Sequence, residues 1–126
     1  MDSKEFGEKG ERLAAEFFTE QGYRVLTTNY HSPYGELDIV ALKGDQLVFV
    51  EVKSRSRDKN SGFSNVSASK QRKIIKAALG YLNDNQQYDT CMMRFDVIVV
   101  YKSGKEDSYR IEHLPDAFRV DDLYVD

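Results

Sequence analysis

The chain has 126 residues, 18 Lys plus Arg and 21 Asp plus Glu, for a net charge of −3. That length predicts one domain over residues 1–126, large enough to bury a core without staples. The single cysteine, Cys91, excludes an internal disulfide framework and any site built from several cysteines.

An acidic balance weighs against a nucleic-acid partner only if charge is evenly spread. Here it is not. Residues 53–76 carry eight bases, Lys53, Arg55, Arg57, Lys59, Lys70, Arg72, Lys73 and Lys76, against one acid, Asp58. This block is +7, while the first twenty residues hold six acids and three bases and the chain ends in a second acidic stretch. No apolar run approaches the ~20 residues that span a membrane. The opening residues lack the basic and apolar regions of a secretory signal. The expectation is a soluble, cytoplasmic protein with no membrane partner, and the lone cysteine agrees.

The first predicted element is a helix from about Lys4 to Gln21. Phe6, Gly10, Leu13, Ala14, Phe17 and Phe18 recur at three- and four-residue steps, and Gly22 supplies a stop. Tyr23 to Thr28 reads as a strand, and Asn29 to Gly35 as a loop broken by Pro33 and Gly35. Strands follow over Glu36–Leu42 and Leu47–Lys53, joined by a tight turn at Gly44-Asp45. Residues 54–69 are polar and Ser-rich and read as a loop. A second helix starts near Ser67 or Ser69 and runs to about Asn83. Ile74, Ile75, Ala78, Tyr81 and Leu82 form its apolar face, and Lys70, Arg72, Lys73 and Lys76 lie mostly off it. Met92–Tyr101 is a further strand whose apolar run, Phe95–Val100, looks central, and Tyr109–Leu114 is a last edge strand. Helices packed on a mixed sheet give an α/β or α+β sandwich.

The hairpin holds the most informative residues. A two-residue turn pairs Lys43 with Gln46, and a four-residue turn keeps the same register; either sets Asp38 opposite Glu51 and Glu36 opposite Lys53, all on one face. A three-residue turn would put Asp38 and Glu51 on opposite faces. Like charges facing each other destabilise a sheet. Glu51 also interrupts an otherwise apolar strand, where an ionised carboxylate needs a partner. Lys53 is one such partner, and a divalent cation is another. Mg²⁺ takes one or two carboxylates and fills its shell with water and phosphate oxygens. A purely structural Asp–Lys–Glu network is the competing reading. Glu11 precedes Ala14, Ala15 and Phe18 by three, four and seven positions, so it lies on or beside the core-facing stripe. Gln71 stands in the same relation to Ile74, Ile75 and Ala78. Both are candidates for the same site, and both also fit the polar edge of an amphipathic helix.

Asp38, then Glu51-Val52-Lys53 across a hairpin, with Glu11 before and Gln71 after, resembles the PD-(D/E)XK nuclease superfamily. Leu37 stands where that name has Pro. GEKGERLAAEFF, QGYRVLTTNY, YGELDIVA, LVFVEVKSRS, KQRKIIKAALGYL, MRFDVIVV and IEHLPDAF, in that order, resemble the YraN-like family of uncharacterised bacterial proteins over nearly the whole chain. The resemblance implies a restriction-endonuclease-like three-layer α/β sandwich, a mixed central sheet flanked by helices, akin to archaeal Holliday junction resolvases. It implies Mg²⁺ or Mn²⁺ held by Asp38, Glu51 and the Val52 carbonyl, Lys53 beside the attacking water, Glu11 as a further acid and Gln71 as a helical polar contributor. Resolvase-like relatives pair as dimers, so a homodimer is a further expectation. The family's Phe-Gly in the loop after the lysine strand is replaced here by Gly62-Phe63.

The function expected is metal-dependent hydrolysis of phosphodiester bonds in nucleic acid, with branched or repair-intermediate DNA as a substrate class. Lys53 beside two carboxylates is expected to favour its charged form and to steady the transition state. Arg55, Arg57, Lys70 and Lys73 are expected to hold the nucleic-acid backbone. Two other readings stay open: a non-catalytic nucleic-acid-binding module, and a scaffold whose ion network is only structural. His31 and His113 are too few for a multi-histidine zinc site, and Cys91 reads as packing. Tyr30 and Tyr34 can stack on bases or pack as half-buried loop aromatics.

Overall fold

A computed structural model describes residues 3–56, 66–103 and 108–120. Helix α1 is Ser3–Glu20. Strands β1 (Arg24–Ser32), β2 (Gly35–Lys43) and β3 (Gln46–Arg55) follow as a meander. Helix α2 (Ala68–Asp84) and a short 3₁₀ turn at Gln86–Tyr88 lead to β4 (Met92–Lys102) and β5 (Tyr109–Phe118). The sheet order is β1-β2-β3-β4-β5. Only β3 and β4 pair in parallel, because the crossover through α2 separates them; the other neighbours are antiparallel.

The two helices cover opposite faces, which makes the three-layer α/β sandwich that the family resemblance implies. On one face α1 buries Ala14 and Phe18 against Ile39, Ala41, Val48, Val50 and Ile98. On the other, α2 buries Ile74, Ile75, Ala78 and Tyr81 against Val40, Leu47, Phe49, Phe95 and Val99. Alternation along β2, β3 and β4 feeds both cores at once, so these strands read as nearly continuous apolar runs. Phe49, Phe95 and Phe118 stack in sequence across three strands, with ring centroids 5.5 Å and 5.2 Å apart. Each fully buried side chain of this size contributes about 1.5–3 kcal/mol.

Ser67, not Ser69, caps α2: its hydroxyl accepts the Lys70 N–H at 3.1 Å. The turn at Gly44-Asp45 is the predicted two-residue one, with Lys43 paired to Gln46. Gly44 has φ +61° and Asp45 does not share the positive φ, the pattern of a type II′ turn.

Two elements differ from the sequence reading. Asn29 to Ser32 continue β1 rather than opening a loop, and the connection to β2 shrinks to Pro33-Tyr34. Asn29 takes φ +54°, a left-handed conformation that Asn tolerates, so the strand turns there without ending. Strand β5 likewise runs past Pro115 to Phe118, through a bulge at Asp116 (φ +54°). An edge strand accommodates such a proline.

Candidate functional site

The β2–β3 ladder runs from Lys43↔Gln46 only as far as Ile39↔Val50. One residue further, Asp38 Oδ2 accepts the Val52 N–H at 2.8 Å. A side-chain carboxylate thus completes the hydrogen bonding where the two backbones part. The alternation of β2 breaks at the same point. Leu37 belongs to the core under α2, whereas Ile39, two residues on, belongs to the core under α1. Side chains two apart on a regular strand share a face, so β2 twists through Asp38. Across the β1–β2 ladder, Asn29 with its positive φ stands at the same level, between Thr28↔Ile39 and Tyr30↔Leu37.

Because the sheet opens here, both helices reach the same carboxylate. Glu11 comes from α1, hydrogen-bonded to Asn29 and within electrostatic reach of Asp38. Lys70 comes from the first turn of α2, with Nζ 3.6 Å from Glu51 Oε2. Asp38 and Glu51 are hydrogen-bonded to each other, so the two acids meet, although not as the directly opposed ladder pair that the register predicts, because the pairing stops at Ile39↔Val50. Burial, then the charge of Asp38, pushes Glu51 up to about 7, against the opposing pull of Lys70. Burial also raises Asp38, although the Val52 N–H, Glu51 and Lys70 work the other way. Glu11 is raised too, by burial first and Asp38 second. Burial and the close approach of two like charges thus both favour the protonated form within this pair.

Three details depart from the sequence reading. Lys70 is a cation against Glu51 that the sequence reading did not place there. Lys53 is held below its ordinary range, not favoured as a cation: burial comes first and Arg55 adds to it, outweighing the attraction of Glu51. Glu36 does not join Lys53 across the hairpin, because β2 has left β3 by that point; its carboxylate lies 3.4 Å from His31 Nδ1. Gln71 gives its side-chain N–H to the Val66 carbonyl at 2.8 Å and ties the approach of α2.

Among the described residues, no three His, Cys, Asp or Glu converge into a ready-made cage. The donor set is smaller: two hydrogen-bonded carboxyls, with the Val52 carbonyl beside them. A strand residue directs its N–H and C=O to the same edge. The Val52 carbonyl therefore opens toward Asp38, which its N–H already meets. Two oxygen acids and a carbonyl that leave open positions suit Mg²⁺ or Mn²⁺, which keep several places for water and phosphate. A cation in place of a proton would relieve the repulsion recorded in the raised carboxyls. Arg55, Arg72, Lys73 and Lys76 are exposed, as is Lys70 beside Glu51. Arg57 and Gly62-Phe63 lie outside the described residues.

A second polar cluster went unnoticed in the sequence. Asp96, fully buried on the α1 face of β4, receives Arg94 Nε and a guanidinium N–H at 2.8 Å each, His113 Nε2 at 2.7 Å and the Asp116 N–H at 2.9 Å. Arg94 also donates to Tyr23 Oη at 2.9 Å. Burial alone would raise this carboxyl, but the hydrogen bonds from His113, Arg94 and Asp116 hold it below its ordinary range. The signal was available: a lone acid inside an apolar strand needs partners.

Fold and site together define a three-layer α/β protein with a two-carboxylate centre at the opening of its sheet. Residues 10–100 match the uncharacterised protein family UPF0102, and the chain belongs to that family, the YraN family. It is 43% identical over 122 residues to a UPF0102 protein of Chlorobium chlorochromatii (strain CaD3), covering 93% of each chain. It is 45% identical over 116 residues to a UPF0102 protein of Syntrophus aciditrophicus (strain SB), covering 90% of this chain and 88% of that one. A UPF0102 protein of Dictyoglomus turgidum is 41% identical over 119 residues, covering 94% of this chain and all of the relative. No helix among the described residues is long and apolar enough to cross a membrane.

Proposed function

We propose that this protein is a Mg²⁺- or Mn²⁺-dependent nuclease of the PD-(D/E)XK type that hydrolyses phosphodiester bonds, with branched or repair-intermediate DNA as its substrate class. The observation that carries the reading is the meeting of Asp38 and Glu51 beside Val52, at a gap in the sheet that α1 and α2 both reach. Asp38, Glu51 and the Val52 carbonyl would hold the cation. When bound, it supplies Lewis acidity toward a phosphoryl oxygen and lowers the pKa of water.

The chain's own residues set up the rest. Val52 N–H fixes the Asp38 carboxylate, so its orientation costs nothing when substrate arrives. Lys53, with its proton held less tightly than an ordinary lysine, can stabilise developing negative charge and pass a proton within the same step. Lys70 neutralises Glu51 at rest and is placed to meet a phosphate as the acids engage a cation. Arg55 and Lys73, both exposed, line the approach for a polyanionic backbone.

A cleavage assay on branched, single-stranded and duplex DNA with Mg²⁺ or Mn²⁺ tests this. Wild type should cut at least one substrate, and Asp38→Ala should not. Cleavage that survives Asp38→Ala removes the catalytic assignment. The basic exposed face of α2 also supports a second reading, a nucleic-acid-binding module without catalysis. That reading predicts salt-sensitive binding with no metal-dependent cleavage by wild type.

A further inference from the structure

The two tyrosines at the β1–β2 connection have different surroundings. Tyr30 is tied down: its ring meets Tyr81 edge-on at 5.3 Å and its hydroxyl donates to Asp84 at 3.2 Å. Tyr34, at the tip of the hairpin beside exposed Pro33, is 61% exposed. The exposed ring stands on a tip that the fold holds firmly. Ser32 Oγ accepts the N–H groups of Tyr34 and Gly35 at 3.1 Å and 3.2 Å and donates to the Gly35 carbonyl at 2.9 Å. Gly35 packs so tightly on α2 that a Cβ there would come within 2.9 Å of the Lys73 carbonyl. The tip is therefore braced against the basic helix.

Tyr34 precedes Asp38 by four residues, at most about 13 Å along a strand. That distance is on the order of four stacked nucleotide steps. We infer that Tyr34 is a base-stacking residue that directs the carboxylate centre to nucleic acid carrying an unstacked base, such as a single strand, a fork or a junction, in preference to intact duplex. The inference rests on the proposed nucleic-acid function and narrows its substrate. A ring stacks on a base only where that base offers a free face. Inside a duplex both faces are covered by neighbouring pairs, and a single strand or branch point uncovers one. The basic face of α2 at the foot of the same hairpin favours a polyanion over an apolar protein partner.

The test is anisotropy binding of the full chain, in EDTA so that nothing is cut, to a labelled single strand, a fork and a blunt duplex of one sequence. Tyr34→Ala should weaken single-strand and fork binding by about fivefold to a hundredfold, the range of one base–aromatic stack. Its duplex binding should change less than twofold. Tyr34→Phe should bind all three as wild type does, since the ring and not the hydroxyl does the stacking. Thermal melting of the variants, expected to be unchanged for an exposed side chain, separates contact from folding. If wild type binds but Tyr34→Ala weakens all three substrates equally, or none, the inference is overturned while the proposed function stands. It is overturned as well if Tyr34→Phe loses as much as Tyr34→Ala. Failure of wild type to bind any of the three overturns the inference, and the proposed function falls with it only if the cleavage assay with Mg²⁺ or Mn²⁺ also fails.

Discussion

Asp38 accepts the Val52 N–H at the point where β2 and β3 part, so one carboxylate both seals the sheet's hydrogen bonding and opens its chemistry. This places an acid in the plane of the sheet, approached by Glu11 from one helix layer and by Lys70 from the other. A regular hairpin would have confined it to one face.

The raised carboxyl of Glu51 predicts a pH dependence of stability. An unfolded glutamate titrates near 4.5, whereas Glu51 in the fold is pushed up to about 7. Between those values the native state binds more protons than the unfolded chain, so stability falls as pH rises through the window and levels off above it. The loss should be on the order of 1–3 kcal/mol in EDTA. Chemical denaturation at pH 5 and pH 8 measures it. Glu51→Gln should flatten the slope, and Lys70→Met should steepen it by removing the opposing cation. A slope equal in wild type and Glu51→Gln would refute the assignment.

The Asp96 cluster predicts a different kind of sensitivity. Asp96→Ala leaves Arg94 and His113 facing each other without their anion and should cost roughly 3–5 kcal/mol. The change should appear as a lower urea midpoint. DNA binding per folded molecule should be unaltered, because Asp96 lies on the face opposite Glu51. A binding defect larger than the loss of folded protein would tie this cluster to the site.

Gly35 gives a third test. Gly35→Ala drives a methyl into the Lys73 carbonyl, backbone against backbone, so the hairpin tip must lift from α2. Overpacking of this sort costs roughly 1–3 kcal/mol. Equilibrium unfolding should record it, and a neutral substitution would show that the tip is not braced.

Much of the centre was legible in the sequence because it is local. The spacing about Gly44-Asp45 set the register as far as Ile39↔Val50, which brings Asp38 and Glu51 to the same end of the hairpin. Periodicity gave both helices and their buried faces. Less was legible where distant residues decide. The placing of Lys70 beside Glu51 depends on where α2 starts relative to β3, which no spacing encodes. Asn29 to Gly35 was read as a loop because Pro33 and Gly35 break it; the fold instead uses the left-handed tolerance of Asn29 to turn a strand that continues to Ser32. Asp96 was passed over within an apolar run, although the reasoning applied to Glu51 applied to it equally.

Asp38, Glu51, Lys53 and Lys70 all fall on β2, β3 and the start of α2, three elements consecutive in the chain. The Asp96 network instead joins Tyr23, Arg94, His113 and Asp116, from nearly opposite ends of the chain. The acids therefore inherit their geometry from neighbours in the chain, while their persistence depends on a lock closed by the last strand. Damage to β5 should reduce how many molecules carry the centre and leave the centre in each survivor intact.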